Sequence, residues 1–157
     1  MTSSESARWD ARSVLFPVGD RCEPSGNRRQ MRQAQVLIVE DHRLVRHVIA
    51  RSLRHSGFHI IEAETAARAC ELFEGVAVDA AVVDVSLPGD MNGLQLGKWL
   101  RGRRAAMPLV FISGLSEWEV TDRVPTDPRT RFLHKPFGAR MIVDLVVGLL
   151  SAERQAI

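Results

Sequence analysis

The chain has 157 residues, 45% hydrophobic and 25% charged, with a net charge of +2, which excludes a disordered or fibrous chain and fits one globular domain. Residues 1–34 hold six Arg against four acidic residues, and the remaining residues balance 15 basic against 15 acidic, which weighs against a nucleic-acid-binding face. The longest apolar stretch, MIVDLVVGLL at 141–150, is ten residues with Asp144 inside it, too short to span a bilayer.

Residues 1–34 lack periodicity, are rich in Ser, Arg and Gly, and contain Pro17 and Pro24, so they read as a disordered N-terminal extension. Met31 stands just ahead of the first strand as a second candidate start. Cys22 and Cys70 are far apart and form no disulfide or zinc spacing, and no secretory signal is recognisable, so reduced thiols and a cytoplasmic location are expected.

From Gln35 the pattern alternates. Strands are predicted over 35–39, 58–63, 79–84, 108–113 and 131–135. The spacing of Val45, Ile49 and Leu53 predicts a helix over 43–56, stopped at Gly57. An Ala-rich helix follows over 65–74, ending at Gly75. Leu96, Trp99 and Leu100 share a face of a helix over 93–104, with Asn92 as N-cap. A short helix over 116–124 is ended by Pro125, and a last helix runs over 139–153. In that last helix Met141, Ile142, Leu145, Leu149 and Leu150 form a core stripe, which Val143, Val146 and Val147 widen into either a broad core face or a partner or dimer surface formed with the fifth strand and the fourth helix. Five strands alternating with five helices predict a doubly wound α/β fold with a five-stranded parallel sheet.

In such sheets ligands bind outside the carboxyl ends of the strands. Strand 1 ends in Glu40 and Asp41, strand 3 in Asp84, strand 4 in Ser113 and strand 5 in Lys135. Each alone is an ordinary turn or cap residue. Together they bring three carboxylates, a hydroxyl and an ammonium to one sheet edge. Like charges there repel, and burying them raises the cost, so a balancing cation is expected. Hard oxygens suit Mg²⁺, which shares its sites with phosphate. No Gly-rich P-loop is present, which argues against a nucleotide cradle. The constellation reads as phosphoryl transfer onto a carboxylate, with metal and lysine neutralising charge.

Bland readings hold for several other residues. His42 reads as a solvent-facing helix start. Strand alternation turns His134 away from Lys135. Trp99 reads as packing, and Cys70 as a small core residue.

At this point the sequence resembles the receiver domain of two-component response regulators (flavodoxin-like, CheY-like). The likeness runs from about Gln35 to Ser151 and rests on VLIVEDH, VVDVSLPGDMNG, FISG and FLHKPF, in that order. The resemblance implies that Asp84 is the phosphoacceptor. It implies Mg²⁺ held by Asp41 and Asp84, by Glu40 through water and by the backbone carbonyl of Ser86. Lys135 would bind a phosphoryl oxygen, with a cis Lys135–Pro136 bond. Ser113 would turn its hydroxyl to the phosphoryl group, and Phe132 would follow as the aromatic switch. The implied partners are a sensor histidine kinase or histidine phosphotransfer protein and a downstream protein, with a phosphorylation-dependent homodimer as one outcome.

Some features depart from the family's common pattern. Phe132 stands where Tyr is usual, LPGDMNG is one residue longer than the commonest loop, and Pro125 and Pro128 shorten the fourth helix. Ser86 and Leu115 flank the site and are positioned to tune phosphoryl lifetime.

A receiver over 35–153, not an enzyme, is expected, with no output domain after it. Two rivals come from other classes. A haloacid-dehalogenase-type phosphatase needs an Asp two residues after the nucleophile, where this chain has Ser86. A phosphorylation-independent scaffold has no use for the clustered charges.

Overall fold

The computed structural model describes residues 33–115 and 127–155. Five strands, β1 (Gln35–Val39), β2 (His59–Ala63), β3 (Ala80–Asp84), β4 (Leu109–Ser113) and β5 (Thr130–His134), pair in parallel in the order β2-β1-β3-β4-β5. Four helices, α1 (Arg43–His55), α2 (Ala66–Gly75), α3 (Gly93–Arg103) and α4 (Ala139–Gln155), lie between or after them among the described residues. This is the expected doubly wound α/β fold, with each strand within one residue of its predicted ends. The helix predicted over 116–124 lies outside the described residues, as does the extension predicted over 1–34 up to Arg32. Ala34 already packs against the core, and its carbonyl accepts from the His59 N–H at 2.9 Å, so the folded unit begins slightly before the predicted start.

Alternation along each strand sorts its side chains into two layers. Val36 and Ile38 face Ile49 and Leu53 of α1 and Ile142 and Val146 of α4. Leu37 and Val39 face Ala69 of α2 and Leu96 and Leu100 of α3. All four β1 residues are fully buried, as a strand covered on both faces requires.

Local chemistry sets the helix ends. Gly57 takes φ +89 after α1, a conformation that strains any residue with a Cβ. At α3 the Asn92 side chain accepts from Gln95 N at 3.0 Å, while Gln95 Oε1 accepts from Asn92 N at 2.9 Å. Asn92 was expected as the cap. The returning bond from Gln95 completes a capping box and fixes the loop between Asp84 and α3.

One expectation needs correction. Met141 is exposed, not part of the core stripe of α4. The buried row is Ile142, Val146, Leu149 and Leu150. At about 100° per residue, Met141 lies on the side of Ile142 away from Val146. Val143 and Leu145 are half-buried against the same core, so most of the breadth of this face is core packing.

From β1 the chain crosses to β2 on one side and later to β3 on the other. The strand order reverses there, which opens a crevice at the carboxyl ends of β1 and β3.

Candidate functional site

Glu40 and Asp41 leave β1 at this crevice, and Asp84 ends β3 beside them. Carboxylate oxygens of the three lie within 4.8 Å of one another. Glu40 and Asp84 are buried, whereas Asp41 is exposed. Backbone donors orient two of the carboxylates: His42 N–H donates to Glu40 Oε1 at 3.2 Å, and Ser86 N–H to Asp84 Oδ1 at 2.9 Å.

Lys135 spans the pair. Its Nζ is 2.7 Å from Glu40 Oε2 and 2.7 Å from Asp84 Oδ2. β5 delivers the lysine through its register with β4, in which Ser113 faces His134, and Lys135 N–H donates to the Ser113 carbonyl at 2.7 Å. The Lys135–Pro136 bond is cis, as the resemblance implied.

Burial pushes the Glu40 carboxyl above its usual range, against the opposing pull of Lys135. Burial works against the Lys135 ammonium too, but its hydrogen bonds and attractions to Asp84 and Glu40 outweigh burial and raise its pKa. Burial leads the Glu40 shift, with the Asp84 charge adding to it, while Asp84 and Glu40 together raise Lys135.

The remaining predicted residues lie at the same edge. Ser113 is fully buried, and its hydroxyl accepts from Leu115 N–H at 3.0 Å. Ser86 is exposed in the loop after β3. Phe132 pairs in register with Phe111 and is half-buried against the α2–α3 layer, two residues before the level of Ser113. His42 and His134 are exposed, and Trp99 and Cys70 are half-buried, consistent with their bland readings.

Two residues that contact the backbone of the site were not anticipated. Gly93 packs so closely under β3 that an added Cβ would lie 1.8 Å from the Asp84 carbonyl oxygen. Any side chain there would push Asp84 out of line. Arg46 donates from Nη1 to the Glu40 carbonyl at 2.6 Å and to the Asp41 carbonyl at 3.4 Å. Sequence position alone does not single out Arg46, because Arg43 stands in the same first turn of α1 and is exposed.

The donor set fits a hard divalent cation. It combines one exposed and two buried carboxylates, all oxygen and net negative beyond the single ammonium.

A family model described as the response regulator receiver domain matches residues 36–147. The chain belongs to this family. The receiver is 34% identical over 122 residues to the sensor kinase CckA of Brucella abortus, covering 76% of this chain and 13% of that protein. It is 32% identical over 107 residues to a cyclic di-GMP phosphodiesterase of Thermotoga maritima, covering 68% of this chain and 28% of that one. The chain therefore spans well under a third of the length of these relatives. Among solved structures, a response regulator receiver protein from Sinorhizobium medicae aligns with a TM-score of 0.71 at 26% identity, covering 76% of this chain and 96% of that one. A CheY-like receiver domain from Methanospirillum hungatei shares the fold with a TM-score of 0.71 at 20% identity, covering 80% of this chain and all of that one. Receiver folds are in general signalling domains of two-component systems. Among the described residues, no helix is long and apolar enough to cross a membrane.

Proposed function

We propose that residues 35–153 act as a phosphorylation-controlled switch. Asp84 accepts a phosphoryl group from the phosphohistidine of a sensor histidine kinase or a histidine phosphotransfer protein. An Asp84 carboxylate oxygen attacks phosphorus and the new O–P bond forms as the P–N bond breaks. The imidazole nitrogen keeps the electron pair and takes up a proton. The carboxylates of Asp41 and Asp84, Glu40 through water and the Ser86 carbonyl would hold Mg²⁺, which would supply charge neutralisation for the phosphoryl oxygens.

Lys135, already bonded to Asp84, takes a phosphoryl oxygen once the carboxylate carries the group. The Ser113 hydroxyl then exchanges its Leu115 N–H contact for the phosphoryl group. Phe132 moves inward behind it. The output is a change in protein–protein contacts with a downstream protein or a second copy of the chain.

The observation that carries this reading is the convergence of Glu40, Asp41 and Asp84 within 4.8 Å around an ammonium bonded to two of them. The test is incubation with Mg²⁺ and acetyl phosphate. The expected product is an acid-stable, base-labile phosphoryl adduct, absent from Asp84→Asn. An intact, folded protein that forms no adduct would instead favour a phosphorylation-independent scaffold.

A further inference from the structure

The Arg46 guanidinium is an unusual group to find under an acidic site. It sits in the first turn of α1, a helix with no acidic residue in that turn, where a cation is disfavoured by the helix dipole. Its side chain is only 15% exposed. Burying a guanidinium there is stable only if its donors are used. Nη1 reaches the backbone carbonyls of both Glu40 and Asp41, at 2.6 and 3.4 Å. Nε faces Glu62 Oε2 at 3.6 Å, and Glu62 is held in turn by Arg54 at 2.6 Å. Arg46 therefore ties the peptide units that carry the acidic pair to α1 and to the edge strand β2.

We infer that Arg46 is a positioning residue for divalent-cation binding. It fixes the carbonyls of Glu40 and Asp41, and so fixes the direction in which their carboxylates leave the backbone. Asp41 needs this most. Its carboxylate is exposed and has no hydrogen-bond partner among the described residues, so its backbone is what orients it. Arg46 also leaves a positive charge on the backbone of the pair, through its bonds to the two carbonyls. Unlike Lys135, it bonds the carbonyls of the acidic pair and not their carboxylates, so it need not move when a cation arrives.

This inference rests on the proposed Mg²⁺ site. The test is a Mg²⁺ titration of the full chain, followed by the amide signals of His42 and Ser86, whose N–H groups bond Glu40 and Asp84. Loss of a group that orients metal ligands typically weakens affinity by about 10–100-fold. Arg46→Met is expected to weaken Mg²⁺ binding about tenfold. Arg46→Lys, which can keep one carbonyl bond, is expected to fall between Arg46→Met and wild type. Arg54→Met, which removes the other ion pair of Glu62, is expected to bind as wild type does. Wild-type affinity in Arg46→Met overturns the inference, as does an equal loss in Arg54→Met, which would point to general loosening of the β2 edge. If Arg46→Met does not fold, Arg46→Lys decides: intermediate affinity supports the inference and wild-type affinity overturns it. Absence of Mg²⁺ binding by the wild-type protein would fail the proposed site itself, a different result from either.

Discussion

Two cation hubs join distant parts of this molecule, and they differ in one respect. Lys135 bonds Glu40 and Asp84 across the crevice, with Asp41 beside them. Arg101 of α3 bonds the Met107 carbonyl at 3.2 Å, the Thr130 hydroxyl at 2.9 Å and Asp127 at 2.8 Å. Both side chains are mostly buried, at 24% and 16% exposure. The Arg101 hub is balanced, one charge against one, with neutral acceptors taking the other donors. The Lys135 hub is short of positive charge, three carboxylates against one ammonium. No buried side-chain polar atom among the described residues lacks a partner, so this shortage does not come from unmade hydrogen bonds. A balanced hub is complete as a fastening. An acid-rich hub can be relieved by a proton on buried Glu40 or by further positive charge.

The largest expected effect comes from removing the hub cation at the site. Lys135→Met leaves the buried Glu40 and Asp84 facing each other without a counter-charge. Breaking such a pair costs about 3 kcal/mol or more, limited here because burial already favours the protonated form of Glu40. Urea unfolding without metal should show that loss, and saturating Mg²⁺ should restore part of it. Unchanged stability of Lys135→Met without metal would break the comparison, because the site would then be no more acid-stressed than the rest of the surface.

Arg101→Met sharpens the same comparison from the other side. It strips a donor from Thr130 and from the Met107 carbonyl, while Asp127 remains partly open to water. The expected loss is about 2 kcal/mol, from polar groups left without partners. It should be the same with and without Mg²⁺. A Mg²⁺-dependent loss would mean that the two hubs communicate.

The difference between the hubs was partly legible in the sequence. VLIV followed by Glu40 and Asp41 is a buried strand ending in like charges, and the doubly wound pattern brings Asp84 and Lys135 to the same edge. That made the fold and the members of the site readable, because strand-end positions follow from topology. What each member bonds does not follow. Lys135 and Glu40 are 95 residues apart, and nothing local specifies that one ammonium bridges two carboxylates. Arg46 reads as one of several basic residues on α1 until its carbonyl acceptors are located. The Arg101 hub was invisible for the same reason: Arg101 and Thr130 are 29 residues apart, and a lone Arg late in a helix is ordinary helix-dipole chemistry. Met141 shows the opposite error. An apolar run in a helix marks a stripe but not its edges, and the first-turn residue fell outside the buried row.

The smallest effect concerns pH, and it separates the hubs by sign. The Arg129 N–H bonds the Asp127 carboxylate at 2.6 Å and, with Arg101 nearby, holds its pKa below the usual range despite some burial. A lowered folded-state pKa means that the unfolded chain binds more protons in the window between the folded value and about 3.9. Stability from this group is therefore present above the unfolded pKa and lost as pH falls through the folded one. Asp127→Asn has no such contribution to lose. Urea midpoints of the two proteins should differ at neutral pH and converge as the solution is acidified below about pH 4. The gap should be modest, because the carboxylate is partly exposed and water screens its attraction to Arg101. Buried Glu40 behaves in the opposite sense, since its raised pKa makes its charged form a liability at neutral pH that acid relieves. A gap that stays constant down to strong acid would show that Asp127 stabilises the β5 entry through its shape and neutral hydrogen bonding. The Arg101 hub would then be a fastening in which charge has little part, and the contrast with Lys135 would widen.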